Sequence, residues 1–518
     1  MGSIAISIGD PGMTALHRAG LAGLYMTLQQ LEKSRKNCGL NWALDKNKVE
    51  LSWDGDFQPA FDRLFRSSFG VTNDGVLDFA AHRGHPMSER QRIFISEAIR
   101  TTFLQHNKQN RIPKGTTNRE LVFDYQETQH AMKFKPFNSN YMHATAAMEK
   151  MFPKQPDEFI PIKGWLFPGA VERHSNLANT EIEENFARFL CLLYAPVAVL
   201  YLRIRRFSAD GKFNARQNSA IVVPNIVQID EYCESYQNYL GSPVENITVS
   251  GIYDAAMTAL LLLKMTRSLD DIGVSGCTVY LMGQTVWAKQ QQTRTSVVSI
   301  SAESLSQTRE FEVAWRCFSN KILSRPTNPD KENPQPKPHL LTIPSLCRGV
   351  IAENATLGAP FYKGFSQFGQ GKKLFAKVLY ERKELNAMLG EMRDTYKAEC
   401  SFVEAIHVAI RNRLGKMAAE AAHRGETPRF DREFERLRTN LMRAKNAQTM
   451  RAEIADLFAR GGINSGLQKN WEMVLTIMNG REWQMARDLA LLGLASYVGR
   501  GAQEIVESAN ADTEEDEK

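Results

Sequence analysis

The chain opens with a short apolar run that stops at a turn and continues in a helical pattern. Pro11 lacks a backbone N–H and Gly12 tolerates positive φ, so both favour a turn, and Thr14 is suited to cap a following helix. Apolar and small residues then recur at three- and four-residue steps (Leu16, Ala19, Gly20, Gly23, Leu24, Thr27, Leu28 and Leu31). This pattern predicts strand, tight turn and helix, with another element packed very close to the small residues.

Strand and helix patterns alternate as far as Phe318. The predicted elements are a hairpin near 40–53, helices at 89–104, 182–193 and 253–267, and strands at 197–207, 220–226 and 277–288. The alternation is typical of a mixed α/β body, to which we assign residues 1–323.

The second part of the chain has a different composition. Residues 324–341 contain five prolines among Asn, Asp and Lys, which favours extended, solvated backbone, so we interpret 324–371 as a linker and connecting segment. Helical periodicity then recurs at 374–392, 398–421, 432–444, 450–460 and 483–497, which predicts a bundle over 372–503. Residues 504–518 are strongly acidic and are expected to form a disordered tail. The predicted fold class is α+β, a mixed N-terminal α/β body followed by a C-terminal helical bundle.

Composition narrows the class of protein. The 518 residues are 43% hydrophobic and 24% charged, which is ordinary for a globular protein. The longest apolar runs are too short to cross a bilayer and the N-terminus lacks signal-peptide features, so we expect a cytoplasmic protein without a membrane partner. Seven widely spaced cysteines without a CxxC pair support neither a disulfide framework nor a zinc site. The net charge is +6, and the acidic tail leaves a larger positive excess on the remaining chain.

Catalytic motifs are absent from the sequence. It contains no phosphate-binding GxxxxGK[ST] loop, no HExxH, no GxSxG and no nuclease-like series of Asp and His. His17 lies on the predicted first helix, where packing or hydrogen bonding is the favoured role. We therefore expect no catalytic residue, no metal site and no cofactor.

Two loops combine cations with amides. Lys and Arg bind phosphates or guanine edges, while Asn and Gln can read adenine, so such loops are candidates for reading DNA, although a solvated loop has the same composition. The leading candidate comprises Lys108, Asn110, Arg111 and Lys114, and the second comprises Lys212, Asn214 and Arg216. Arg294, in the polar stretch 289–296, is a further DNA-binding candidate.

A basic strand precedes the second loop. Arg203 and Arg205 alternate along it, which places them on one face, and Arg206 lies near its end. These three residues are candidates for a phosphate track, against the alternative of a solvated edge strand.

The predicted bundle carries a succession of basic residues interrupted by glutamates. One interpretation is that the carboxylates neutralise the cations through helical pairs at three- and four-residue spacing. The other is a basic stripe that holds single-stranded DNA by its backbone. The candidates for that stripe are Arg411, Arg413, Lys416, Arg436 and Arg443.

Two landmarks in the sequence resemble a known family. Asp10 to Thr14 with His17 to Leu24, and Gly164 to Val171, are similar to segments of the large subunit of type I CRISPR interference complexes (Cascade), in the branch named after myxobacterial systems. The resemblance implies a non-catalytic subunit that recognises a short motif beside the target (the PAM), assists unwinding and stabilises the R-loop. It also implies that the bundle resembles the small subunit of related complexes.

The resemblance also implies partners: the CRISPR guide RNA, double-stranded target DNA with its displaced strand, the other Cascade subunits (backbone, guide-5′-end and small subunits), and recruited nuclease-helicase or transposition proteins. Two other classes stay open on the residues alone. One is a nucleic-acid-processing enzyme with an unrecognised active site, and the other is a scaffold that binds only protein.

Overall fold

The fold is described from a computed structural model of the chain. The described residues are 2–35, 38–104, 116–137, 141, 144–145, 147–162, 182–207, 213–264, 270–287, 290–301, 309–327, 336–480, 482–499 and 501–503. The chain divides into two compact units. The first unit comprises Met1–Arg205, Arg216–Glu303 and Asn320–Pro344, and the second comprises Arg206–Ala215, Ser304–Ser319 and Ser345–Lys518.

Strands and helices are mixed in the first three hundred residues. In chain order they are β1 (Gly2–Ser7), α1 (Ala15–Lys33), β2 (Asn41–Asp45), β3 (Lys48–Trp53), α2 (Phe57–Ser68), β4 (Phe69–Val71), β5 (Leu77–Phe79), α3 (Glu89–Thr101), β6 (Arg119–Tyr125), β7 (Thr128–Phe134), β8 (Ile160–Pro161), β9 (Glu183–Glu184), α4 (Phe186–Ala198), β10 (Leu200–Phe207), β11 (Phe213–Ile226), α5 (Ile229–Leu240), β12 (Thr248–Val249), α6 (Ile252–Lys264), β13 (Val274–Trp287) and β14 (Gln290–Ser301).

Helices dominate the rest of the chain. The elements are α7 (Arg309–Cys317), β15 (Lys321–Arg325), β16 (His339–Ile343), α8 (Leu346–Thr356), α9 (Ser366–Gly369), α10 (Lys372–Leu379), α11 (Arg382–Glu391), α12 (Lys397–Arg424), α13 (Phe430–Arg443), α14 (Ala447–Gly461), α15 (Ser465–Asn479) and α16 (Trp483–Ala495). The predicted fold class, α+β with a mixed α/β body followed by a helical bundle, is confirmed.

The largest sheet has five strands in the order β12-β10-β11-β13-β14. β10 therefore lies inside the sheet, with β12 parallel to it on one side and β11 on the other. A three-stranded sheet, β1-β3-β2, and the two-stranded pairs β4-β5, β6-β7, β8-β9 and β15-β16 complete the described sheets. The predicted alternative of a solvated edge strand for β10 is wrong.

The opening turn forms as the sequence predicts. Thr14 caps α1 by accepting a hydrogen bond from the backbone N–H of His17, and the His17 Nδ1 contacts the backbone N–H of Thr14 in return, which completes a capping box. The opposite ring nitrogen of His17 lies 3.3 Å from a carboxylate oxygen of Glu184. His17 is therefore a buried, hydrogen-bonding residue, as predicted.

The small residues of α1 allow a very close approach to α4. A methyl group at Gly20 would lie 1.7 Å from the carbonyl oxygen of Cys191, and one at Gly23 would lie 2.4 Å from that of Tyr194. Since no such overlap is tolerated, these positions require glycine. The predicted close packing against α1 is confirmed.

Tyrosines of α5 fix the junction between α4 and β10. Tyr236 donates to the Val197 carbonyl at 2.9 Å, Tyr239 donates to the Tyr201 carbonyl at 3.0 Å, and Tyr232 donates to the Ala198 carbonyl. All three side chains are buried. Because the last carbonyl groups of a helix have no helical partner, the Tyr232 and Tyr236 hydroxyls supply partners to the end of α4, while Tyr239 bonds to β10 itself.

Three helical features differ from the predicted pattern. The segment 324–371, interpreted as linker and connection, contains α8 and α9 and contributes to the β15-β16 pair. The periodicity over 374–392 is divided at Glu381, whose buried carboxylate accepts hydrogen bonds from the Ser345 hydroxyl at 2.6 Å and the Leu346 N–H at 2.9 Å and so caps α8. Helix α15 was not predicted, because its exposed Trp471 and Leu475 blur the amphipathic pattern.

Candidate nucleic-acid interface

The three arginines of β10 have different exposures. Arg203 and Arg205 retain 8% and 6% of their accessible surface, whereas Arg206 is exposed. Phe94 of α3 packs against Arg203 and Thr342 of β16 contacts Arg205, so the face of β10 that carries these two side chains is covered. The alternation predicted from sequence therefore places Arg203 and Arg205 on a covered face rather than on a solvated one.

Arg203 is held among groups of α3 and the β12 region. Its guanidinium lies over the ring of Phe94, 4.9 Å from the ring centroid. Burial lowers its pKa, an effect opposed by the neighbouring carboxylates of Glu97 and Glu245 and increased by Arg90. Arg90 in turn pairs with Glu245 at 2.7 Å. These opposite charges support a packing role for Arg203, with its charge offset inside the first unit.

Arg205 is also committed to the interior of the first unit. Its terminal nitrogen donates to the carbonyl oxygen of Thr342 on β16 at 3.0 Å. Burial, together with the nearby charge of Arg203, lowers the pKa of Arg205 to about 10. The structure does not support the predicted phosphate track for Arg203 and Arg205, because packing against α3 and β16 leaves them only 8% and 6% exposed. Of the three arginines, Arg206 alone is exposed.

The remaining candidates outside the bundle are the two predicted loops and Arg294. Lys108, Asn110, Arg111, Lys114 and Lys212 lie outside the described residues. Asn214 and Arg216, expected in a loop, lie on strand β11, since β10 and β11 extend as neighbours beyond the predicted strand ends. Arg294 lies on β14, where it pairs in register with Gly283 of β13. The side chains of these three residues are outside the described part of the chain.

The bundle presents cations of two kinds. Arg411, Lys416 and Arg443 are exposed, and none of them has an ion-pair partner among the described residues. Lys416 does donate a hydrogen bond, at 3.1 Å, to the Arg460 carbonyl at the end of α14. Their positive charge is therefore available to a ligand.

Arg413 and Arg436 are neutralised by one buried carboxylate. Glu433 pairs with Arg413 at 3.1 Å and with Arg436 at 2.5 Å. Burial by itself raises the pKa of Glu433, but the hydrogen bonds from Arg436 and Arg413 more than offset it, so the pKa lies below its usual value. The pair with Arg436 is a helical ion pair at three-residue spacing, as one interpretation expected, whereas the pair with Arg413 joins α13 to α12.

The remaining charge on this part of the bundle is positive. Residues 405–461 contain twelve Lys and Arg and seven Asp and Glu. Arg438 pairs with Glu435 at 2.5 Å, and Arg460 with Asp456 at 2.6 Å. Further basic residues of the same segment are exposed: Arg424, Arg429, Arg432, Lys445 and Arg451. The segment therefore keeps a basic surface after its internal ion pairs are counted.

Within the described ranges, no three His, Cys, Asp or Glu side chains are grouped so that they could hold a metal ion. Of the helices that the structure describes, none is both long and apolar enough to cross a bilayer.

Two family models match the chain. Residues 5–193 match the DevT N-terminal domain, and residues 393–518 match the DevT C-terminal domain. The first range contains α1, the first half of α4 and both sequence landmarks, and the second contains α12 to α16. The chain belongs to the DevT family. The resemblance to the myxobacterial-type Cascade large subunit is thereby confirmed.

A curated relative agrees with this assignment. The chain is 27% identical over 528 residues to the CRISPR-associated protein Cas8a1/Csx13 of Myxococcus xanthus (strain DK1622). The match covers 96% of this chain and 89% of the relative. The similarity therefore extends over both compact units and is not confined to one domain.

Proposed function

We propose that this DevT-family chain is the non-catalytic large subunit of a CRISPR RNA-guided DNA-binding complex. In such complexes the guide RNA reads the target by base pairing, while protein reads the short PAM and stabilises the opened strands. The chain then works with the guide RNA, the target duplex and the other Cascade subunits. Cleavage or transposon insertion is carried out by a recruited nuclease-helicase or by transposition proteins.

The observation that carries the DNA-binding role is the set of exposed bundle cations, Arg411, Lys416 and Arg443. Proteins hold single strands without sequence preference by placing cations along the phosphate backbone. Cations already paired with buried carboxylates contribute little to such contacts, because a phosphate must compete with the existing partner. We therefore assign the displaced strand to these three residues and remove Arg413 and Arg436 from that role.

PAM reading is assigned to the loop that contains Lys108, Asn110, Arg111 and Lys114, ahead of Lys212, Asn214 and Arg216. Arg206 and Arg294 are proposed as phosphate contacts nearby in the chain. The burial of Arg203 and Arg205 favours a supporting role for both: they hold β10, from which Arg206 is presented.

The proposal is tested by assembling the complex with and without this chain. With the chain present, we expect binding to DNA that carries both a guide match and a PAM, and weak binding to DNA that lacks the PAM. Without the chain, the preference for the PAM should disappear, because guide pairing alone does not read it. A complex that keeps its PAM preference in the absence of this chain contradicts the proposal.

The PAM loop has its own test. Asn110→Ala and Arg111→Ala each remove a group that can bond to a base edge, so each should relax the motif with a loss of about 1–3 kcal/mol of discrimination. A library of randomised PAM sequences measures the preference. Asn41→Ala, at an exposed position outside the loop, serves as the control variant. If both loop variants select the same motif as the unsubstituted chain, the assignment of PAM reading to this loop is wrong.

A further inference from the structure

The first unit contains a cleft that the proposed DNA contacts do not use. It lies between the turn that joins β4 to β5, the first turn of α3 and the start of β6, and it encloses about 420 Å³. That volume falls within the usual range of ligand sites, roughly 300–1,000 Å³. The cleft is therefore large enough to enclose a big side chain with its backbone.

The floor of the cleft is apolar. Val76, Ile93 and Phe134 form a small buried cluster, and Leu121 packs against it while remaining partly exposed. All four residues line the cleft. Covering this apolar surface with an apolar group of a ligand lowers the free energy, whereas covering it with a phosphate does not. The floor therefore favours an apolar group over a phosphate.

The rim carries an excess of negative charge. It has three carboxylates, Asp74, Glu89 and Glu120, and two guanidinium groups, Arg92 and Arg119. Arg119 is already engaged, since it donates to the Asn73 carbonyl at 2.6 Å and lies 3.6 Å from Asp74. Glu89 and Glu120 are exposed and have no ion pair within the described ranges. This rim repels nucleic-acid backbone and attracts a cation, in contrast to the bundle surface.

A backbone edge lies beside the cleft. β6 pairs with β7, and no other described strand pairs with β6. The opposite side of β7 is occupied, because the Ala131 N–H donates to the Pro338 carbonyl at 2.9 Å. An open edge of this kind accepts an extended peptide through main-chain hydrogen bonds, with alternate side chains directed into an adjoining pocket.

We propose that this cleft binds an extended segment of a partner protein, with one large apolar side chain on the floor and flanking Lys or Arg residues at Glu89 and Glu120. The inference rests on the proposed function, which supplies other subunits and recruited proteins as partners. The choice of a basic partner segment rests on the complementary charge of the acidic rim. The apolar floor selects one side chain, and the acidic rim selects its neighbours.

Binding is measured by fluorescence anisotropy with the full-length chain and a labelled synthetic peptide, Thr-Lys-Thr-Leu-Thr-Lys-Thr. Replacing both peptide lysines by glutamate, or the leucine by serine, should abolish the signal. The variant Glu89→Gln with Glu120→Gln should weaken binding by about 3- to 30-fold, because exposed ion pairs contribute modestly to each contact. Glu32→Gln with Asp54→Asn, two exposed acids outside the cleft, is the matched control and should leave binding unchanged.

The proposal is overturned if the peptide does not bind, if the glutamate peptide binds equally well, or if both double variants behave alike. A second arm places a photo-crosslinking amino acid at Glu120 in the assembled complex. Crosslinking to an apolar and basic segment of another protein supports the proposal. Crosslinking to nucleic acid, to a second copy or to this chain itself, or no crosslink at all, contradicts it. Since the peptide arm uses the isolated chain without DNA, its failure leaves the proposed function standing, and a failure of PAM-dependent binding leaves the peptide result unaffected.

Discussion

The arginines of β10 and those of the bundle are chemically alike but lie in opposite surroundings. Arg203 and Arg205 are covered by α3 and β16, and nearby carboxylates or a carbonyl oxygen offset their charge. Arg411 and Arg443 are exposed on helices and have no carboxylate partner in the described part of the chain. A basic residue is available to nucleic acid only where the element that carries it leaves it exposed, and its presence in the sequence is not sufficient.

The way each element is covered by its neighbours explains why the β10 arginines are buried and the bundle arginines are exposed. Leu200, Tyr201 and Leu202 precede Arg203, and all are fully buried, as in strands that are covered on both faces. A helix on the outside of a bundle instead buries one stripe and leaves the rest to water. In α12, Ile410 and Leu414 are buried while Arg411 is exposed one position away. The two regions therefore predict different consequences for the same substitution.

The largest expected effect is on stability, at Arg203. Arg203→Met removes the guanidinium that lies on Phe94 and offsets Glu97 and Glu245, so we expect the free energy of unfolding to fall by about 2–4 kcal/mol. Arg411→Met, the same change at an exposed site, should alter it by less than about 0.5 kcal/mol. Urea unfolding of the full chain measures both. Equal stability of the two variants means that burial does not distinguish these arginines.

A smaller effect on stability is expected at Glu433, whose carboxylate neutralises two of the bundle cations and leaves the exposed candidates unpaired within the described residues. Glu433→Gln removes the charge that binds Arg413 and Arg436, so the bundle should lose about 1–3 kcal/mol at pH 7. Glu420→Gln, at an exposed position, should have little effect.

The pH dependence of the same variant sharpens this prediction. Because the folded-state pKa of Glu433 is lowered, its contribution to stability is present above the unfolded-state pKa and is lost as the pH falls through the folded-state pKa. The difference between the unsubstituted chain and Glu433→Gln should therefore shrink in acid. A difference that is constant between pH 7 and pH 3 would show that the ion pairs do not account for it.

Much of the fold could be predicted from the sequence because local signals and packing agree. Thr14 caps α1 as its position indicates, and Gly20 and Gly23 mark the closest approach to α4. The division near Glu381 could not be predicted, since the carboxylate there bonds to Ser345, more than thirty residues away. Periodicity reports which face a helix buries, but it does not report a hydrogen bond to a residue as distant as Ser345.

The candidate site was less predictable for the same reason. Alternation correctly places Arg203 and Arg205 on one face of β10, but it does not say whether that face is covered. The apolar run before Arg203 contained a signal for a strand buried on both faces, and it outweighs the basic residues that follow. In the bundle, the spacing of Glu433 and Arg436 indicated one ion pair, while the pair with Arg413 comes from the packing of α12 against α13.

The central claim is that exposed bundle cations hold DNA, and the most direct measurement is the salt dependence of DNA binding by the assembled complex. The test variant combines Arg411→Gln, Lys416→Gln and Arg443→Gln. The matched control combines Lys363→Gln, Lys383→Gln and Lys397→Gln, which removes the same charge from exposed positions elsewhere in the second unit. If three phosphate contacts to a single strand are lost, the slope of log affinity against log salt should fall by about 2 in the test variant, at roughly 0.7 per contact, and stay unchanged in the control. Equal slopes for the two variants would contradict the account.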